Sequence, residues 1–327
     1  MKKMYVGVDL GGTKILSCVL KLNDKLQILG KAKAETRAQD GQEAVLNRIE
    51  KTIHESLEKA GIPINKVAAV GIGVPGAVNA IKGKISFAAN LGWENVKLKK
   101  ILQKRLSVPV FVNNDANLGT LAEEKIGAAK GAREVFGVYW GTGIGGGLVC
   151  DGKIVHGHSF TAGEVGHMII QPDGKLCTCG RKGCFEAYAG KWALTENIHQ
   201  RIKNGEASVL AVDGQIAGED ILKSSAIKKA FQAGDKVLSE ELLKAVDYFA
   251  LGLANVVNVF NPQVIVIGGG MIESMEEELL PLLKIALESK VFPSARFSLV
   301  TAQLGDFSVP AGAAFFARQE VKAAKKK

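Results

Sequence analysis

The run N-N-D-A-N at Asn113–Asn117 sets one carboxylate, Asp115, among three amides, directly after the apolar V-F-V and before a helical pattern. An aspartate at such a junction can simply cap the helix. The neighbouring amides also suit a polar site, in which Asp115 accepts the proton of an attacking hydroxyl and Asn114 orients the molecule that carries it. Two glycine-rich runs supply the groups that phosphoryl transfer would need besides a base. In D-L-G-G-T-K, Asp9 stands at a strand end and Gly11, Gly12, Thr13 and Lys14 follow, so unobstructed backbone amides could wrap phosphate oxygens while Asp9 holds a magnesium ion through water. The spacing fits neither a P-loop nor a dinucleotide fingerprint, and a Gly-Gly pair alone can be just a hairpin turn. G-T-G-I-G-G-G, beginning at Gly141, Thr142 and Gly143, holds more glycine than a hairpin requires, and a ligand close to the backbone explains the excess. A third cluster, Gly268, Gly269 and Gly270, ends a buried strand; a nucleoside could rest there, although a plain strand-to-helix turn has the same composition.

Three of the five cysteines fall within eight residues as C-x-C-x4-C, at Cys177, Cys179 and Cys184, with His167 ten residues ahead of the first. Three thiolates and one imidazole fill a tetrahedral zinc site and leave no position for water, so the expected zinc is structural. Reduced thiols without metal are the alternative; the intervening glycines and basic residues favour metal. Glu164 and His167 share A-G-E-V-G-H, and Glu186 follows Cys184 by two residues. With one His167 nitrogen on the metal, its other nitrogen and the two carboxylates could bind the hydroxyls of a polyol. G-V-P-G, ending at Gly76, offers further backbone contacts. Cys18 and Cys150 read as core residues of strands.

These residues need elements to hold them. Strand patterns over 4–10, 15–22 and 26–34 predict an antiparallel meander, followed by a helix over 42–60, a strand over 67–74, a helix over 98–106, a short strand over 110–112 and a helix over 116–126. From Val135 the opening theme recurs: F-G-V-Y-W, the glycine turn, then L-V-C-D-G-K-I-V as a returning strand. A long helix over 236–260, a strand over 264–267, a helix over about 274–288, a strand near 297–301 and a last helix from Pro310 complete the pattern. The repeated hairpin suggests an internally duplicated α/β fold.

A chain of 327 residues, 47% of them apolar, can bury two cores. The formal charge of +9 comes from scattered lysines and arginines, densest in the terminal Lys325, Lys326 and Lys327, which read as solvated surface and a frayed tail rather than a nucleic-acid footprint. No leader pattern precedes the first strand, so the chain is expected in the cytoplasm. The apolar stretch 245–260 carries Asp247, Asn255 and Asn258 and is too short to span a bilayer. No membrane or nucleic-acid partner is expected.

The five motifs D-L-G-G-T-K, N-N-D-A-N, G-T-G-I-G-G-G, G-E-V-G-H and C-T-C-G-R-K-G-C-F-E, in that order, resemble the ROK family of bacterial sugar kinases and repressors, its glucokinases above all. The resemblance runs from Met4 to about Arg318. It implies the duplicated actin-like ATPase (ribonuclease H-like) fold, two α/β domains closing on a cleft: a smaller one over 1–116 plus 300–327 and a larger one over 117–299. It implies ATP with magnesium, a structural zinc, and a hexose phosphorylated at its 6-hydroxyl, glucose first, with N-acetylglucosamine, N-acetylmannosamine, mannose or fructose as alternatives. Asp115 is then the base, Asn114, Glu164, His167 and Glu186 touch the sugar, and the protein forms dimers or tetramers. A non-catalytic sugar-sensing regulator is the rival, but a repressor carries a helical DNA-binding domain ahead of the first strand, where this sequence has three residues.

Overall fold

Strands β1 (Met4–Leu10), β2 (Lys14–Leu22) and β3 (Leu26–Glu35) form the expected antiparallel meander, and β4 (Val67–Val74) joins β1 in parallel. The computed structural model describes residues 4–22, 26–212, 215–216 and 221–325; Lys326 and Lys327 of the basic tail lie outside them. The chain divides into two compact units. The first comprises residues 1–133, 147–162 and 303–327, the second residues 134–146 and 163–302.

In the first unit the sheet order is β3-β2-β1-β4-β8, closed by β8 (Val110–Asn114). Side chains alternate across it, as the pleat requires. Val6, Val8 and Leu10 of β1, Val70, Ile72 and Val74 of β4, and Val110 and Val112 of β8 turn to one core, shared with Val45, Ile49 and Ile53 of α1 (Gln42–Ala60). That core also takes β5 (Ala77–Asn79), β6 (Lys84–Ala88), β7 (Trp93–Val96) and α2 (Leu98–Leu106). Tyr5, Leu16, Cys18, Leu20 and Ala69 turn the other way, where a late helix covers them with Ala314 and Ala317. That helix lies backbone-close on the sheet: a Cβ on Gly7 would sit 1.8 Å from Pro310 O, and one on Gly71 would sit 2.0 Å from Ala313 O.

Helix α3 (Asp115–Ile126) follows β8 directly. Segments 117–133 and 147–162, given to the larger domain by the sequence reading, cluster with the first unit. The physical reason lies in α3. Gly312 leaves no room for a Cβ against Leu118 O, and the buried Glu123 carboxylate accepts from the amides of Gln303 and Leu304, both at 3.0 Å.

In the second unit β9 (Glu134–Trp140) turns through a glycine hairpin into β10 (Ile144–Cys150). The returning stretch is not one strand: Asp151 and Gly152 turn it again, and β11 (Lys153–Ile154) pairs back on the end of β10 within the first unit. The sheet order is β11-β10-β9-β14-β15. Around it lie α4 (Glu186–Ala189), α5 (Lys191–Lys203), the two-residue strands β12 (Ala211–Val212) and β13 (Gln215–Ile216), and α6 (Ser224–Gln232). Helix α7 (Lys236–Phe260) buries Leu238, Leu242, Phe249 and Leu253, so its apolar residues are spent largely on the unit's own core. Strand β14 (Val264–Gly268) leads to α8 (Gly270–Glu288), which begins four residues before the expected start; non-helical backbone at Met275 separates that first turn from the rest. Strand β15 (Ser298–Thr301) ends the unit, and α9 (Ser308–Ala324) is the helix that covers the first sheet.

Candidate active site

Strand β8 runs two residues further than its apolar pattern, so Asn113 and Asn114 still have strand geometry and Asp115 opens α3. The cap is Asn114, not Asp115. Its Oδ1 accepts from the Asn117 amide at 3.1 Å, and its Nδ2 donates to Gly76 O at 3.2 Å. Gly76 has a φ of 90°, and a Cβ there would lie 2.3 Å from Phe87 O, so only glycine can carry that carbonyl. Asp115 Oδ1 accepts from the Ala116 amide at 2.8 Å. The capping alternative raised by the sequence therefore belongs to the residue before it.

The Gly11–Gly12 turn is closed by Gly11 N donating to Lys14 O at 2.9 Å and is tied to the sheet by Thr36 Oγ1 donating to Gly11 O at 2.7 Å. Thr13 is exposed at its tip and accepts from the Thr36 amide through its carbonyl, 2.8 Å. Lys14 is paired with Asp306. Burial is the main force on Asp9, and the Asp115 and Asp306 carboxylates add to it against Lys14, so its pKa is pushed up to about 7. A carboxylate so placed would recover its charge on meeting a cation. The first unit thus brings together Asp9, Asp115 and the glycine turn around one electrostatic neighbourhood.

In the second unit, Gly141 N donates to Gly143 O at 2.9 Å and closes the hairpin; residues 144–147 are already strand. Lys191 N and Trp192 N donate to Gly141 O and Thr142 O, 3.3 and 3.1 Å, so the start of α5 braces the turn. Glu186 does the rest. Its Oε2 accepts from Ile144 N at 2.8 Å, while Oε1 accepts from Trp192 Nε1 at 3.2 Å and Thr178 Oγ1 at 3.4 Å. A Cβ on Gly143 would stand 2.2 Å from that Oε2. Gly268 pairs with Tyr139, and Gly269, at φ 88°, lies against the Trp140 backbone, so the third glycine cluster flanks the strand that leads into the turn. Glu164 has its pKa raised by burial, with Glu186 adding to the effect and His167 opposing it.

His167, Cys177, Cys179 and Cys184 converge, their ligand atoms all within 4.8 Å of one another. Cys177 Sγ lies 3.8 Å from His167 Nδ1, and Cys179 Sγ lies 3.7 Å from Cys184 Sγ. Zinc bonds of about 2.3 Å to sulfur and about 2.1 Å to nitrogen give tetrahedral edges of roughly 3.6–3.8 Å, which those two distances match, and the donor set fits the ion in type and number. Burial works against the Cys179 thiolate, but the Arg181 amide and guanidinium and the two other thiols outweigh it and bring it down to about 6. Burial and the neighbouring thiols push Cys184 up to about 12.

Three contributors escaped the sequence reading. Trp192 and Thr178 hold Glu186, and Asp306 pairs with Lys14. Thr178 lies inside the cysteine motif without being a ligand type, Trp192 follows that motif by six residues, and Asp306 meets Lys14 only through the fold.

The model of the ROK family matches residues 5–320. A curated glucokinase of Halalkalibacterium halodurans is 32% identical over 97% of this chain and 96% of its own length. Among solved structures, the ROK hexokinase of Thermus thermophilus superposes with a TM-score of 0.83 at 32% identity, covering 98% of this chain and 99% of that one. A ROK glucokinase of Streptomyces griseus, crystallised with glucose and AMPPNP, gives 0.81 at 32% identity over 97% and 99%.

Proposed function

The chain belongs to the ROK family and has its actin-like ATPase fold, and from that membership we propose that it transfers the terminal phosphoryl group of ATP to the 6-hydroxyl of a hexose, glucose first. The observation that carries the reading on the chain's own residues is the junction of β8 and α3. There Asn114 takes over the capping and Asp115 stands in the first helical turn beside Asp9.

In the first unit, Asp115 takes the proton as the hydroxyl oxygen bonds to phosphorus and the bond from phosphorus to the ADP oxygen breaks. Asn114 and Gly76 orient the sugar. Gly11, Gly12, Thr13 and Lys14 offer donors to phosphate oxygens, and Asp9 would hold magnesium through water, which would supply charge neutralisation at the phosphates. In the second unit, Gly141, Thr142 and Gly143 present further phosphate donors, and Gly268, Gly269 and Gly270 take the nucleoside. Glu164, Glu186 and His167 bind sugar hydroxyls, His167 through Nε2, since Nδ1 faces the thiols. His167, Cys177, Cys179 and Cys184 would hold a zinc ion, which would supply a structural cross-link. We place the protein in the cytoplasm as a homodimer or homotetramer.

A coupled assay of ADP release across glucose, N-acetylglucosamine, N-acetylmannosamine, mannose and fructose tests the reading. Release stimulated by one of them is expected; sugar binding with no release would make the protein a sensor instead. Asp115→Asn should keep sugar binding and lose about a thousandfold in turnover. Near-normal turnover would remove Asp115 as the base.

A further inference from the structure

His156 has no part in that scheme, yet its ring lies against the strand that carries Asn113 and Asn114 and leads into Asp115. Its Nε2 is 2.9 Å from Asn113 Nδ2, and Asn113 is only 1% exposed. On its other side Asn113 Oδ1 accepts from the Asn114 backbone amide at 2.8 Å. A backbone N–H can only donate, so this second contact fixes which way the Asn113 amide points: oxygen toward Asn114, NH2 toward His156. Nε2 must then be an acceptor. The ring proton sits on Nδ1, and the imidazole is neutral.

We propose that His156, as the Nδ1–H tautomer, is a positioning residue for phosphoryl transfer: it orients the buried Asn113 amide, which holds the Asn114 backbone amide and so sets how Asn114 and Asp115 enter α3. The inference rests on the role proposed above for Asp115. From Asn114 the chain of bonds continues to the Asn117 amide and to Gly76 O, so one ring nitrogen anchors the strand end, the helix cap and the Gly76 turn.

The surroundings of the ring suit this task. Phe316 of α9 lies 6.1 Å away and Phe160 5.9 Å away, centroid to centroid. Phe160 holds a φ of 64°, an uncommon conformation for an aromatic residue, in a loop closed by Ala162 N donating to His156 O at 3.1 Å. Asn113 from β8, Phe160 from the loop and Phe316 from α9 face the ring, none of them charged, and burial holds its pKa below the ordinary value. Protonating Nε2 would set two donors against each other. Turning the Asn113 amide over would relieve that contact only by aiming its NH2 at the Asn114 N–H.

Nitrogen-15 NMR of the whole protein, labelled at histidine, reads the tautomer with no turnover required. The chain has five histidines, and the His156→Gln spectrum identifies the signal that disappears. The Nδ1–H pattern is expected at pH 8; the Nε2–H pattern, commoner in water, would overturn the proposal. The kinetic arm compares His156→Gln, whose carbonyl can still accept from Asn113, with His156→Phe, which cannot. Phe should lower kcat about tenfold with the hexose KM changed less than about threefold, the scale of one unsatisfied buried donor. Gln should restore most of kcat and flatten the acid limb of its pH profile. Equal kcat and equal profiles in all three proteins would overturn the proposal, and where the Phe variant does not fold, Gln against wild type decides it by the acid limb. A wild-type protein that phosphorylates no hexose would bring down the kinase reading, and the tautomer would still report on Asn113, so the two failures are distinguishable.

Discussion

The two glycine hairpins close with the same bond length, Gly11 N to Lys14 O and Gly141 N to Gly143 O both at 2.9 Å, but they are braced by different physics. The first is surrounded by charge: Asp9 with a raised pKa, Asp115 near it, and Lys14 paired with Asp306, whose side chain is 60% exposed. The second is held by packing and neutral donors around one carboxylate, Glu186, with the first amides of α5 on the turn's carbonyls. A turn flanked by a titrating carboxylate and a partly exposed ion pair can be retuned by pH, salt and magnesium. One fixed by a buried carboxylate against a missing Cβ has a single geometry.

The largest break in that comparison should come from Gly143→Ala. Its methyl would displace the Glu186 carboxylate, and kcat/KM for the hexose should fall about a hundredfold or more, the cost of moving a positioning group by about an ångström. Gly11→Ala meets only Lys14 O, at 3.2 Å, and should lose far less; equal losses in the ADP-release assay would mean the turns are not braced differently. Trp192→Phe removes one donor from Glu186 and should raise the hexose KM roughly five- to tenfold while leaving the nucleotide KM nearly unchanged.

Asp9→Asn sharpens the contrast through pH. A carboxylate at about 7 in the folded chain, against an ordinary 3.8, binds more protons folded than unfolded between those values, so stability falls as pH rises through that window. Without magnesium or nucleotide, Asp9→Asn should therefore raise Tm by about 2–5 °C at pH 8 and by less at pH 5, read by scanning calorimetry at the two pH values. A uniform shift would place the Asp9 penalty elsewhere. The smallest effect belongs to Asp306→Ala: its ion pair with Lys14 is exposed, and unfolding by urea should show less than about 1 kcal/mol lost, shrinking further in salt.

Much of this was legible in residue order. The meander, the parallel strand after it, the long helix α7 and the thiol cluster all announce themselves locally, through alternation, helical spacing and metal-ligand spacing. Strands β5, β6 and β7 did not, because their short runs carry exposed residues such as Phe87 and gain meaning only by pairing with one another. The cap at Asn114 was hidden for a different reason. Asn113, Asn114 and Asp115 are equally plausible caps by type, and the two-residue extension of β8 decides among them. Trp192 lies six residues from Glu186, a spacing that marks no repeat and carries no signal of its own, whereas His156 meets the Asn113 amide 43 residues away, where no spacing rule reaches.

Helix α9 has a consequence for how the protein is made. It seats on Gly7 and Gly71, in strands translated long before it. On the ribosome the whole 163–302 run emerges before this helix does, while Tyr5, Leu16, Cys18 and Ala69 wait with one face of their sheet bare. A chain ended just ahead of Ser308 would therefore leave those strands without their lid, a ready client for chaperones and proteases.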